Sequence, residues 1–169
     1  LDGSFVLELG QNDWIGFVSD GVISVDDYET ADGKSFTNHK FYDYNGKFLF
    51  ELTPKNETTY FIISAFKSGL ALVIEREQIS YEDFIKNCYY IDKTGKMVLT
   101  GFADATGFNE KGYAGASLDG LNYGIIDTNG NFVIEPEYSQ ITEVYESKAC
   151  SFRCVKNGKT VYLTDDLQE

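Results

Sequence analysis

Apolar residues fall in short runs broken by small polar turns, and one arrangement recurs three times. Lys40-Phe41-Tyr42, Tyr89-Tyr90-Ile91 and Tyr123-Gly124-Ile125-Ile126 each lead into a turn, and Phe48-Leu49-Phe50, Met97-Val98-Leu99 and Phe132-Val133-Ile134 each leave it. Runs this short, rich in aromatic and β-branched residues, predict strands rather than helices. The turns between them share Asp-x-Asn/Thr-Gly: Asp43 to Gly46, Asp92 to Gly95 and Asp127 to Gly130. Aspartate at the first position accepts backbone N–H groups, and glycine at the fourth takes the positive φ of a type I turn closed by a bulge. Asp43, Gly46, Asp92, Gly95, Asp127 and Gly130 are therefore read as structural turn residues.

A second landmark precedes each hairpin: an aromatic residue, a short polar turn, a glycine and an apolar strand. It appears as Phe17 to Val25, Phe66 to Val73 and Phe108 to Ala116, with a degenerate copy at Tyr145 to Val155. The first residues, Gly3-Ser4-Phe5-Val6-Leu7-Glu8-Leu9, match Gly46 to Leu52 and Gly130 to Pro136. Self-similarity at this spacing is the signature of a repeat architecture. The expected organisation is one repeat array over 1–169, a fragment of a longer one. In it, 1–9 ends a preceding repeat, 14–53, 59–101 and 102–138 are repeats, and 139–169 is a partial copy. The first two copies carry extra polar length at 28–38 and 75–87, as insertions at hairpin tips would. In the second insertion, Ser80-Tyr81-Glu82-Asp83 has the form of a helix N-cap and predicts one or two helical turns through Lys86. The fold class is thus all-β: stacked hairpin or three-stranded repeats in an open antiparallel array, with at most one short helix near 80–86.

The third copy, Tyr123-Gly124-Ile125-Ile126-Asp127-Thr128-Asn129-Gly130 followed by Val133-Ile134-Glu135-Pro136-Glu137-Tyr138, resembles the WG (KWG) repeat, and the match extends to Phe66-Lys67-Ser68-Gly69-Leu70-Ala71-Leu72-Val73. The Trp-Gly pair that names that family is mostly missing here: Tyr123-Gly124 is the nearest version, and Cys88-Tyr89 and His39-Lys40 occupy the equivalent places. The resemblance implies a β-rich tandem array from bacterial proteins, with no activity assigned to the repeat itself and no cofactor.

Charge narrows the partners. Fourteen basic residues against 27 acidic ones give a net charge of −13, which repels phosphate backbones and anionic headgroups, so nucleic acid is not an expected partner. No apolar run reaches the roughly 18 residues of a membrane-spanning helix, so no membrane insertion is expected of this segment. No targeting signal is read in it, and a cytoplasmic and a cell-surface or secreted setting both stay open. Cys88, Cys150 and Cys154 form no metal-type pair and no even disulfide framework.

Catalytic readings find little support. His39 is the only histidine and reads as a surface or loop residue, without the partner that metal binding or a nucleophile–base pair requires. Ser117 lies in Gly115-Ala116-Ser117-Leu118-Asp119-Gly120, which misses nucleophile-elbow spacing. Carboxylates such as Asp26, Asp27, Glu75, Glu77, Glu135 and Glu137 are too abundant to single out a glycosidase pair. Tyr28, Tyr44 and Tyr81, in turns or insertions, are the candidate exposed binding residues. The expectation is a non-enzymatic segment without cofactor or metal that binds a protein or acts as a spacer, with cell-wall glycan as the alternative ligand.

Overall fold

The computed structural model describes residues 7–31, 34–144 and 151–169, with Ala31 and Lys34 described by backbone alone. The first copy of the turn motif, around Gly3, and Cys150 lie outside the described residues. Within the described residues, fifteen strands form four antiparallel sheets, each drawn from one contiguous stretch of chain. The first holds β1 (Asp13–Ser19), β2 (Val22–Ala31), β3 (Lys34–Asp43) and β4 (Phe48–Leu52). The second holds β5 (Thr59–Ile63), β6 (Leu70–Gln78), β7 (Phe84–Asp92) and β8 (Met97–Phe102). The third holds β9 (Asp104–Ala105), β10 (Ala114–Ser117), β11 (Tyr123–Ile126) and β12 (Phe132–Tyr138). The fourth holds β13 (Gln140–Glu143), β14 (Phe152–Lys156) and β15 (Lys159–Leu163). Strand order follows chain order throughout, so every sheet is a meander. The described residues contain no helix, and the array is open.

The hairpin turns show how sequence becomes geometry. In the first, Asp43 Oδ1 accepts the N–H groups of Asn45 at 2.8 Å and Lys47 at 2.9 Å, while Gly46 donates to the Asp43 carbonyl from φ 79°. Asp92 and Asp127 repeat this with Thr94 and Lys96, and with Asn129 and Asn131. Hydrogen bonds to the ionised carboxylate, from backbone N–H groups at Asp43 and Asp127 and first from the Thr94 hydroxyl at Asp92, hold all three below the ordinary aspartate value.

The sheets pack face to face through three apolar layers. Val22, Phe41 and Phe50 of the first sheet meet Ala71, Val73 and Ile91 of the second, with Phe66 from the loop before β6 between them. Leu70, Leu72 and Tyr90 meet Ala114, Ala116 and Ile126. Ile125 and Tyr138 of the third sheet meet Ile141, Phe152, Cys154 and Leu163. Strand alternation explains the run Leu70-Ala71-Leu72-Val73: odd and even residues point to opposite faces, and an inner sheet has both faces covered. Small residues on β10 permit close approach, since a Cβ on Gly115 would lie 2.7 Å from Ile141 Cγ2.

Two local expectations are corrected. The extra lengths at 28–38 and 75–87 are chiefly strand, not tip: β2 and β3 pair in register out to Ala31 and Lys34, and β6 and β7 out to Gln78 and Phe84. Polar composition suggests loops, but a two-sided arm standing clear of the core has two faces to wet. Ser80 does cap, taking the Asp83 N–H at 3.1 Å, yet no helix follows. Ile79 N–H donates to the Asp83 carbonyl at 3.1 Å and closes the arm, and β7 begins at the next residue. Side-chain capping of this kind serves turns as well as helices.

Candidate interaction surface

The two arms dominate the surface. The strands of the β2–β3 arm are ten residues each and those of the β6–β7 arm nine, whereas β10 and β11 have four. The third sheet therefore cannot cover the outer half of the second arm. On the arm face continuous with the second-to-third-sheet interface, the register places Tyr60 beside Arg76 and Lys86, Ile62 beside Ile74, and Phe84 beside Gln78. Tyr60, Ile62 and Phe84 remain 40%, 45% and 45% exposed. Tyr60 and Phe84 meet edge to face, with centroids 6.4 Å apart at 89°. Ile79 and Tyr81 at the tip of the arm are exposed as well, Tyr81 at 92%.

At the base of the arm Lys86 is ion-paired with Asp104, whose other oxygen accepts the Tyr123 hydroxyl at 2.7 Å. Burial alone would raise the Asp104 pKa, but the bonds from Lys86 and Tyr123 outweigh it and hold the carboxyl below its ordinary value. Tyr123 is correspondingly pushed up to about 12, by burial and by the Asp104 hydrogen bond.

The three tyrosines singled out from sequence do not form one site. Tyr28 lies on the first arm and Tyr81 at the tip of the second, while Tyr44 sits in the β3–β4 turn at the opposite end of β3. All three are exposed. Sequence reasoning misses Tyr60, Ile62 and Phe84. Nothing local marks them, because their exposure follows from the brevity of β10 and β11 in the next sheet.

His39 is placed differently from expectation: it is a strand residue, and its side chain is only 14% exposed. Nδ1 lies 2.7 Å from Asp26 Oδ1, and the ring meets the edge of Phe61 of the second sheet. A cleft of about 240 Å³ opens beside the pair, with Phe17 and Ser24 on one wall and Phe61 and Ile63 on the other. Ser24 Oγ accepts the Phe17 N–H at 2.8 Å. The signal that could have found this pair is positional. Trp14, Asp26, His39 and Leu52 form one cross-strand row, and the same row in the second sheet reads Ile62, Ile74, Cys88 and Phe102. In the third it reads Asp104, Ser117, Tyr123 and Tyr138. Among the described residues no group of three or more His, Cys, Asp or Glu side chains could hold a metal ion, and no helix is long and apolar enough to cross a membrane.

The Tyr123-Gly124 pair has a geometric meaning. Ile134 and Tyr138 of β12 pair with Ile125 and Tyr123 across an irregular register, and the β12 backbone passes directly over Gly124. A Cβ there would lie 2.4 Å from the Ile134 carbonyl oxygen. The family model for the WG containing repeat matches residues 90–121 and 123–150. Residues 90–150 thus match two adjacent WG repeats. No curated protein and no solved structure matches the chain. In the matched frame, the first WG repeat supplies β8, β9 and β10 and the second supplies β11, β12 and β13. The third sheet is thus half one repeat and half the next, so adjacent WG repeats interlock through strand pairing as well as through side-chain packing.

Proposed function

We propose that this WG-repeat segment is a non-catalytic module that binds a protein through the second arm, the sheets serving as its mount. The observation that carries this reading is the apolar ledge of Tyr60, Ile62 and Phe84, with Ile79 and Tyr81 exposed at the tip of the same arm. Contiguous exposed aromatic and aliphatic side chains on a rigid strand pair suit a protein partner, for which aromatic anchors supply most of the binding energy. A protein is favoured over cell-wall glycan because Tyr60 and Phe84 meet edge to face rather than side by side as a flat platform for sugar rings. A nucleophile–base reading of the cleft is not favoured, because among the described residues Ser24 Oγ is hydrogen-bonded to the Phe17 N–H and no hydrogen bond joins it to His39, whose Nδ1 meets Asp26.

The test is paired capture from extract and wall fractions of the source organism, with the natural segment and a Tyr60→Ser/Phe84→Ser variant whose melting temperature is checked first. A protein retained by the natural segment and lost from the equally stable variant supports the reading. Retention of glycan competed by soluble sugar would replace it with the carbohydrate alternative, and retention of nothing would leave a spacer.

A further inference from the structure

Between the first and second sheets, the cleft beside Asp26 and His39 sets a carboxylate among aromatic walls. Phe17 lines it on one side and Phe61 on the other, and Trp14, cross-strand from Asp26 and 47% exposed, adds an indole to the same face of β1. Asp26 gives only Oδ1 to His39 Nδ1. Its Oδ2 takes no hydrogen bond among the described residues and lies on the cleft wall beside Gly16. Among the described residues no lysine or arginine pairs with Asp26, and Lys40, which strand alternation turns to the opposite face of β3, is bonded to Asp27.

Two observations separate this cleft from ordinary packing. Gly16 takes no positive φ, so backbone conformation does not call for glycine there. A Cβ on Gly16 would stand 2.6 Å from Ser24 Oγ and 3.1 Å from Asp26 Oδ2, covering both oxygens. The second sheet, moreover, carries Leu72, Ile74 and Cys88 where the first carries Ser24, Asp26 and His39. Its own cleft toward the third and fourth sheets, about 350 Å³, is lined by Leu72 and Ile74. The same position in the fold is thus filled without charge in the next sheet.

We infer that the Asp26 cleft binds a primary ammonium group on a short alkyl chain, carried either by a free amine or by a lysine side chain of a partner. A carboxylate oxygen beside aromatic rings attracts a cation through its charge and through the ring quadrupoles. With Oδ1 engaged by His39, a single oxygen is left for the ligand. That suits the point-like ammonium better than a guanidinium, whose fork needs two acceptors. A quaternary ammonium has no N–H to give Oδ2. The cleft volume of about 240 Å³ accommodates an aminoalkyl chain against Phe17, Phe61 and Ile63, and the net charge of −13 draws cations toward the molecule.

The test is an NMR titration of the 169-residue chain at constant pH and ionic strength, read at the imidazole of His39, the only histidine. Butylammonium should shift that signal saturably, in roughly the millimolar range expected of so small a ligand. Butanol, butyrate and butyltrimethylammonium should not. Asp26→Asn, which keeps the shape of the side chain, should weaken butylammonium about tenfold or more, the usual worth of a charged hydrogen bond. The Tyr60→Ser/Phe84→Ser variant should bind it as the natural segment does, since the cleft does not depend on the ledge. A blocked tripeptide with a central lysine separates the two sources: tighter binding than butylammonium assigns the cleft to a partner's lysine, weaker binding to a free amine. No saturable shift with butylammonium, an equal shift with butanol or the quaternary ion, or undiminished binding in a folded Asp26→Asn variant would each overturn the inference. The ligand series on the natural chain decides the matter even where Asp26→Asn fails to fold.

Discussion

The Tyr90 hydroxyl, on a side chain with no exposed surface, donates to the Thr106 carbonyl oxygen at 2.8 Å. The second sheet is thereby hydrogen-bonded to the segment between β9 and β10 through an otherwise apolar layer in which Tyr90 packs 4.8 Å from Phe108, centroid to centroid. Packing alone accepts phenylalanine at this position, whereas the hydrogen bond does not. Tyr90→Phe is expected to cost about 1–3 kcal/mol, the usual range when a buried polar partner is lost. A urea titration should show a lower midpoint with an unchanged slope.

Two glycines separate conformational need from steric need. Gly69 has φ 84°, and a Cβ added to it would meet nothing within 4 Å, so Gly69→Ala meets only the left-handed penalty, about 1–2 kcal/mol. Gly124→Ala would drive a methyl to 2.4 Å from the Ile134 carbonyl and 2.7 Å from the Phe132 ring. Backbone must move there, with a cost of about 3 kcal/mol or more. Thermal melts of the two variants should rank them in that order, and equal losses would refute the steric account of the Tyr123-Gly124 pair.

The pH dependence of stability follows from groups at both ends of the scale. Asp92 is held below its ordinary value chiefly by the Thr94 hydroxyl, and Asp127 chiefly by the Asn131 N–H. A folded pKa below the unfolded one contributes stability that is complete above about pH 4 and lost as pH falls through the folded value. The Cys154 thiol is pushed up to about 12 by burial, and the Tyr138 hydroxyl likewise to about 12. Here the unfolded chain ionises first, so stability declines as pH rises above the unfolded thiol value near 8.5. Denaturant midpoints across pH 2–11 should show a plateau from roughly 4.5 to 8 with a fall on each side, and Cys154→Ala should flatten the first part of the alkaline limb.

Legibility in the sequence tracks how local the controlling interactions are. The Asp-x-x-Gly turns and the all-β class are readable because carboxylate, glycine and apolar alternation act within a few residues. The turn at Thr164–Leu167 is not, since the same backbone path is reached with threonine and leucine and is held by packing on Phe152 and Leu163. The arms at 28–38 and 75–87 are hidden by their polar composition, and the ledge of Tyr60 and Phe84 by its dependence on the length of a different sheet. The environment of His39 is hidden because Asp26 is 13 residues away and becomes its neighbour only once the β2–β3 register is known.

That register also supplies a test of why the first sheet carries a polar pair where the second carries Ile74 and Cys88. Asp26 and His39 are mostly enclosed between two sheets, with side-chain exposures of 21% and 14%. Removing one partner from such a pair leaves the other desolvated and unsatisfied, whereas replacing both by apolar residues that fill the same space is often neutral or favourable. Asp26→Ile and His39→Cys alone should therefore each destabilise the fold by about 1–3 kcal/mol. The double variant, which transplants the row of the second sheet into the first, should recover most of that loss, giving a coupling of about 1 kcal/mol or more in a double-mutant cycle. Recovery would mean the pair is dispensable for folding and is kept for the polarity it gives the cleft beside Phe61. Simple additivity would mean that the two side chains act independently, despite the 2.7 Å contact between them.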